Sequence, residues 1–220
     1  MTEPGQAPVR VRIWDWPTRI FHWLLVALIP VLWWTAEEGM MDRHRAAGYV
    51  MLGLILFRLL WGFIGSSTSR FSNFVKGPRS VMSYLNRNAT HVLGHNPIGG
   101  WSVAAMLGLL SLHVGLGLFA SDEDGLEEGP LAQYISFDTA HEMAELHELL
   151  FNLLLALIAI HVIAILFYLV FRRDNLVGPM LTGSRSAGAG TVPMQGAPAW
   201  RFILAAALAA AAAWGISSLG

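Results

Sequence analysis

Apolar residues occur along the chain in five long runs, and the polar segments between them carry most of the charge. Each run has about 20 residues, the length that an α-helix needs to cross the hydrocarbon core of a bilayer. Unbroken runs of this kind predict helices, because lipid admits only helices and closed barrels. The predicted spans are residues 18–36, 45–65, 101–120, 146–171 and 200–219.

The composition favours an all-α integral membrane protein. Hydrophobic residues make up 55% of the 220 residues, and charged residues only 13%. The nine Trp and eleven Phe fit rings of aromatic side chains at the bilayer interfaces. Because the chain has no Cys, disulfides, iron–sulfur clusters and thiolate-bound haem are excluded. Lipid is the predicted environment, and no nucleic-acid partner is predicted.

Charges in the connecting segments predict an orientation. The second loop, residues 66–100, has four basic residues and no acid, whereas the third, residues 122–145, has eight acids and no Lys or Arg. The N-terminal arm and the fourth loop are also rich in arginine. Since cytoplasmic loops carry an excess of Lys and Arg, the N-terminus is predicted to be cytoplasmic and the C-terminus outside.

The fifth run differs from the others, because it is rich in alanine and has no ionisable residue after Arg201. It follows residues 184–199, a segment rich in Gly, Ser and Pro that predicts a flexible linker. The chain is therefore divided into a four-helix domain (1–183), the linker (184–199), and an appended transmembrane helix (200–220) that serves as an anchor or packs on the bundle.

Two histidines in the fourth run have an informative spacing. His147 and His161 are fourteen residues apart, which on an α-helix is about 21 Å of rise and about 40° of net rotation. Both rings therefore point into one groove, one near each membrane face. His22 lies early in the first run and His44 at the start of the second. The alternating topology thus pairs His22 with His161, and His44 with His147.

Each predicted pair can hold one iron between two neutral imidazoles. Ligation by two histidines leaves no open position, which suits electron transfer rather than oxygen chemistry, and two haems at two depths would carry electrons across the bilayer. A zinc or copper site needs three or four ligands close together. The alternative is that these rings only join helices, but ionisable residues inside a membrane are costly and usually functional. His113, in the third run, is the alternative ligand to His44.

Five stretches of the chain resemble a known family. They are "VRIWDWPTRIFHWLLVAL", "HRAAGYVMLGLILFRLLWGFIGS", "LGHNPIGGWSV", "HELLFNLLLALIAIHV" and "NLVGPMLTG", and together they cover about residues 9–183. They are similar to the di-haem cytochrome b subunit of membrane-bound nickel–iron hydrogenases and to bacterial cytochrome b561-like proteins. The resemblance implies a four-helix bundle of a bacterial inner membrane with two b-type haems. It implies the same ligands, namely His22, His44, His147 and His161, and electron exchange between a partner protein and membrane quinone.

Other residues are candidates for supporting roles. Arg58 is a charge within the second span, and its alternatives are pairing with a haem propionate or extending to the membrane surface. His95 and Asn96 lie in a predicted cytoplasmic loop, where they start a helix or contribute to a quinone site. Small residues let a helix approach a flat macrocycle or another helix. The glycines considered for this role are Gly48, Gly53, Gly115 and Gly117.

The favoured function is that of a membrane electron carrier, alone or as a subunit of a quinone-linked oxidoreductase. The alternatives are a non-redox anchor for a peripheral enzyme and a small proton or solute transporter, and the latter is disfavoured because the spans contain few acids and no pair of broken helices. The acidic third loop predicts a basic redox partner on the outer face. A c-type cytochrome and a dehydrogenase subunit both fit this description.

Overall fold

The structure is a computed structural model that describes residues 9–86, 94–188 and 191–220. A strand, β1 (Val9–Arg12), precedes the first helix, and a second strand, β2 (Ser184–Ala187), precedes the last. The helices are α1 (Trp16–Glu37), α2 (Met41–Ile64), α3 (Phe71–Phe74), α4 (Pro78–Leu85), α5 (Pro97–Gly117), α6 (Phe137–Val170), α7 (Val177–Thr182) and α8 (Ala199–Ser217). In this part of the chain, α1, α2, α5, α6 and α8 are long and apolar enough to cross a membrane. The protein is therefore a multi-pass membrane protein.

Local sequence signals start two of these helices. Asp15 caps α1 and accepts a hydrogen bond from the Thr18 amide at 2.9 Å, and Asn96 caps α5 by accepting one from the Gly99 amide at 2.7 Å. A proline in the first turn follows each cap, where its missing N–H costs nothing. The predicted helix start at His95–Asn96 is thus confirmed.

A central apolar cluster holds four of the long helices together. Met51 and Ile55 of α2, Leu110 of α5 and Leu154 of α6 are buried in it, and leucines of α1 pack against them. α5 packs along α6 and α1 along α2, whereas the backbone of α6 approaches α1 and α2 much less closely. Side chains of α6 therefore meet those of α1 and α2 across a groove.

α8 packs closely along α2. Ala205, Ala209 and Ala213 are buried at four-residue spacing, and a Cβ built on Gly53 of α2 would lie 3.6 Å from that of Ala213. Such small side chains allow close helix packing in lipid. α8 therefore packs on the bundle.

The segment predicted as a flexible linker is partly a strand. β2 pairs antiparallel with β1, with Val9 opposite Ala187, and further along the Met194 amide donates to the Arg12 carbonyl at 2.9 Å. The Gly, Ser and Pro content of this segment indicates loop structure, and this is why the sequence did not predict a strand. The strand that β2 pairs with, β1, lies more than 170 residues away in the chain.

α6 begins nine residues before the predicted span. Ser136 caps it by accepting from the Thr139 amide at 3.3 Å, and its 34 residues correspond to about 51 Å. A bilayer core is only about 30 Å thick, so the acidic first turns of α6 extend beyond it. Hydropathy located the apolar part of the helix and missed its polar start.

Candidate functional site

The four predicted ligands lie at two levels of the bundle. The end where α1 begins and α2 and α6 end is called the N side, and the other end the opposite side. His22 and His161 are at the N-side level, and His44 and His147 are at the opposite-side level. The central apolar cluster lies between the two levels, because its members on α2 and α6 fall between the polar residues of each helix.

His44 and His147 face each other across the groove at the opposite side. Their ring centroids are 6.3 Å apart and their planes are nearly perpendicular. His44 Nδ1 bonds the Leu32 carbonyl at 2.9 Å, and His147 Nδ1 bonds the His113 carbonyl at 2.8 Å. Because a carbonyl only accepts, each Nδ1 carries the proton and each Nε2 keeps a lone pair. Each Nε2 is therefore free to ligate a metal.

His113, the alternative ligand, contacts His147 in a different way. The two rings are stacked, with centroids 3.8 Å apart and planes within 14°, and His113 Nδ1 returns a hydrogen bond to the His147 carbonyl at 2.9 Å. Parallel rings at this distance leave no room for a metal between them. The reciprocal bonds instead fix the orientation of the His147 ring, as partners of ligating histidines commonly do.

Gly117 provides the space for the His147 ring. A Cβ built on Gly117 would lie 2.8 Å from His147 Cε1 and 3.0 Å from its Nδ1, whereas one on Gly48 or Gly115 would meet nothing within 4 Å. Of the four glycines considered from the sequence, Gly117 is thus the one that seats a predicted ligand.

The N-side level has buried polar atoms without partners. His22 Nδ1 is buried and makes no hydrogen bond to the described residues, and His22 lies within electrostatic reach of His161. Arg58 is fourteen residues after His44, the same spacing as His147 to His161, which places it at this level. Its side chain does not extend to the surface, because the residue is 2% exposed.

The guanidinium of Arg58 is stacked rather than ion-paired. It lies 5.2 Å from the Phe71 ring centre and 5.9 Å from that of Phe74, and its Nη1 is buried without a partner among the described residues. No described carboxylate is within 4 Å of it. A buried cation with unused donors suits an anionic group such as a propionate.

His95 and Asn96 lie beside this level. The His95 ring packs between Trp14 and Phe74, with centroids 4.6 and 4.8 Å away, and its Nδ1 is buried without a partner in the described chain. Burial, and next the charge of Arg58, lower the pKa of His95 to about 3, so the ring is neutral near pH 7. Asn96 Nδ2 donates to the Tyr168 hydroxyl at 3.4 Å.

Two polar groups at the N side were not singled out from the sequence. Tyr84 and Tyr168 share a hydrogen bond of 2.9 Å, and burial together with that bond raises the pKa of Tyr84 to about 12. Asp15 is buried and accepts from the Trp61 indole at 2.9 Å and from the Ser69 hydroxyl at 3.0 Å. The helix-cap pattern Asp-Trp-Pro could have indicated Asp15; nothing local indicated the tyrosine pair.

The acidic third loop is anchored to the opposite side of the bundle. Arg45 of α2 forms an ion pair with Asp42 at 2.6 Å and a second with Glu127 of the loop. The last three acids of the third loop, Asp138, Glu142 and Glu145, belong to the start of α6. Most of these carboxylates are exposed, so the loop presents negative charge at this end.

The residues present fit haem. A bis-histidine haem with propionates needs imidazole lone pairs at its iron and a cation near its propionates. Nε2 of His44 and of His147 keeps a lone pair, because each Nδ1 bonds a carbonyl. Arg58 is a buried guanidinium whose Nη1 has no partner among the described residues. Among the described residues, no three His, Asp or Glu side chains converge on a point where they could bind a metal ion.

Comparisons with known proteins give a consistent result. The family described as "Prokaryotic cytochrome b561" matches residues 13–183. Two curated relatives, from Azotobacter chroococcum mcd 1 and Azotobacter vinelandii, are each named "Probable Ni/Fe-hydrogenase B-type cytochrome subunit" and are 24% and 23% identical. Each alignment covers 84% of this chain and 93% of the relative. No solved structure matches the chain.

Proposed function

Because the chain belongs to the prokaryotic cytochrome b561 family, and is thus a membrane electron-transfer cytochrome that binds haem b, we propose that it carries two haems. One is ligated by His22 and His161, and the other by His44 and His147. Both irons have two imidazole ligands and no open position. The chain then transfers electrons across the bilayer between a redox partner and membrane quinone, and does no chemistry on oxygen.

The observation that carries this proposal is the geometry of His44 and His147. Their rings oppose each other from α2 and α6 at 6.3 Å, and each Nδ1 is engaged by a backbone carbonyl. Anchoring of this kind leaves Nε2 as the ligating atom and increases its basicity. His113 is stacked on His147, and this supports His44 as the second ligand and His113 as the residue that orients His147.

The quinone site is proposed at the N side, near His95, Asn96 and Arg58. This end has an aromatic-lined loop next to the level of His22 and His161, and buried donors that the described chain does not satisfy. Quinone carbonyls accept hydrogen bonds, and unsatisfied buried donors favour a ligand that accepts them. The excess of arginine and lysine at this end supports a cytoplasmic location, where protons for quinone reduction are taken up.

The redox partner is proposed to bind the opposite, outer side. Exposed carboxylates of the third loop form a negative surface there, which suits a partner with a basic patch. The names of the two Azotobacter relatives support a hydrogenase-like dehydrogenase as this partner. A c-type cytochrome is the other candidate of suitable charge.

Haem stoichiometry and spectra of ligand variants test the function. The purified wild-type protein should contain two low-spin b haems. His22→Ala and His161→Ala should each remove one haem or make it high-spin, and the double variant should resemble either single variant. His44→Ala and His147→Ala should share the other haem. His141→Ala is the matched control, because this half-buried histidine lies in the outer extension of α6.

Several outcomes would contradict the proposal. A chain without a low-spin b-haem spectrum would be an anchor or transporter rather than an electron carrier. Two intact haems in His44→Ala, together with the loss of one in His113→Ala, would identify His113 as the ligand. If His22 and His147 shared a haem, the arrangement of ligands by level would be wrong.

A further inference from the structure

Asp15 is a buried carboxylate that accepts hydrogen bonds and forms no salt bridge with the described residues. The residue is 6% exposed, and its two oxygens accept from the Thr18 amide, the Trp61 indole and the Ser69 hydroxyl at 2.9, 2.9 and 3.0 Å. Ser69 Oγ also lies 2.7 Å from Thr18 Oγ1 and 2.8 Å from Ser66 Oγ. This network of hydrogen bonds fixes the carboxylate of Asp15, and with it a negative charge, inside the N side.

Arg58 holds a positive charge close to this network without neutralising it. Arg58 and Trp61 are three residues apart and therefore on one face of α2, and the Trp61 indole is one of the donors to Asp15. The two charges attract each other at a distance, but they form no salt bridge within 4 Å. Each charge is held in place by its own partners, Asp15 by hydrogen bonds and Arg58 by the rings of Phe71 and Phe74.

Both charges lie near the level of His22 and His161. Asp15 precedes His22 by seven residues on α1, which is about 10.5 Å, or two turns, along one face of the helix. Arg58 is at this level by its spacing from His44. The pair His44 and His147 is about 21 Å further along the bundle. Because the Coulomb energy of two charges falls with the distance between them, the field of Asp15 and Arg58 acts mainly on the N-side pair.

We propose that Asp15 and Arg58 are fixed opposite charges that set the reduction potential of the haem between His22 and His161. The oxidised iron carries one more positive charge than the reduced iron. Asp15 therefore stabilises the oxidised form and lowers the potential, while Arg58 raises it. Charge and burial around a haem are general means of adjusting its potential. This inference rests on the proposed ligation by His22 and His161.

Potentiometric titration of the full-length haem-loaded protein, followed by its visible spectrum, tests the inference. Asp15→Asn should shift one potential upward, and Arg58→Gln should shift the same potential downward. Asn is as good a helix cap as Asp, so Asp15→Asn removes the charge while keeping the cap. Asp15→Glu should stay close to the wild type. Asp124→Asn, the same chemical change at an exposed residue of the third loop, should move neither potential.

The haem concerned is identified by its loss in His161→Ala. If Asp15→Asn fails to bind this haem, the test rests on Arg58→Gln. An unchanged or raised potential of this haem in Arg58→Gln would then overturn the inference. Shifts of the same sign in both variants, no shift in either, or an equal shift of the other haem would overturn it as well. A wild-type protein without two low-spin haems, or an intact haem pair in His161→Ala, would instead refute the proposed function.

Discussion

Gly117→Ala should disturb the haem proposed for His44 and His147 and leave the one proposed for His22 and His161 intact. The added Cβ would lie 2.8 Å from His147 Cε1, and ordinary contacts of a Cβ begin at 3.4 Å, so the ring must retreat by the difference, about 0.6 Å. The ring is already held by its 2.8 Å hydrogen bond to the His113 carbonyl. A metal–imidazole bond is only about 2 Å long, and a ring displaced this far cannot keep both contacts.

The magnitude follows from the cost of overpacking, which is about 1–3 kcal/mol per added group. If the haem-bound state bears this cost, affinity for the haem of His44 and His147 falls by about 5- to 140-fold. The assay is haem content per chain, together with low-temperature spectra and electron paramagnetic resonance of the oxidised protein. The haem proposed for His22 and His161, about 21 Å away along α6, should keep its low-spin signal.

Gly115→Ala is the matched control for this experiment. It adds the same methyl group to the same helix two residues earlier, where nothing lies within 4 Å of the new atom. It should leave both haems low-spin. If Gly117→Ala keeps two unperturbed low-spin haems, or if Gly115→Ala is equally damaging, the seating of His147 against α5 does not determine ligation.

Three further predictions concern the two ends of the molecule. Electron transfer from a basic partner at the acidic third loop should slow as salt is added, because the screening length falls below about 10 Å above 0.1 M; stopped-flow rates that are independent of ionic strength would rule out this docking. A quinone-site inhibitor should bind less tightly to the His95→Ala, Arg58→Leu double variant with intact haems, and unaltered binding in a titration would place the quinone elsewhere. Burial lowers the pKa of His95 from 6.5 in the unfolded chain to about 3 in the folded protein. Between these pH values His95 is protonated in the unfolded chain and neutral in the folded protein. Stability should therefore fall as the pH drops from about 6.5 towards 3, by up to about 1.4 kcal/mol per pH unit. Thermal unfolding in detergent should show a shallower acid slope for His95→Phe, and an unchanged slope would contradict this account.

Hydropathy predicted the membrane helices well, because the cost of exposing polar groups to lipid leaves a long apolar run for every span. The five predicted spans correspond to α1, α2, α5, α6 and α8. Hydropathy did not predict features that lie in water or that are stabilised by residues distant in the sequence. The polar start of α6 and the pairing of β1 with β2 are of this kind.

The spacing of His147 and His161, together with the alternating topology, predicted that His44 and His147 lie close together. His44 and His147 lie 6.3 Å apart between ring centroids, at the end of the bundle where the alternating topology puts both residues. Asn152, a lone polar residue of the same apolar run, donates to the Glu148 carbonyl of its own helix at 3.3 Å. A single polar residue has no spacing from which its partner can be inferred.

α5 determines the geometry of the opposite-side pair although it is proposed to provide no ligand. His147 belongs to α6, which packs on α5 and stands apart from α2, so the position of its ring relative to His44 is set from the α5 side. Three contacts do this: the stacked ring of His113, the reciprocal carbonyl bonds, and the close approach at Gly117. From the sequence, His113 is a candidate only for the ligand in place of His44. Ligating a metal and orienting the His147 ring both require an imidazole at the same depth, so the sequence does not distinguish these two roles. The distinction between them depends on whether two rings are stacked or opposed, and only the packing of α5 on α6 decides that.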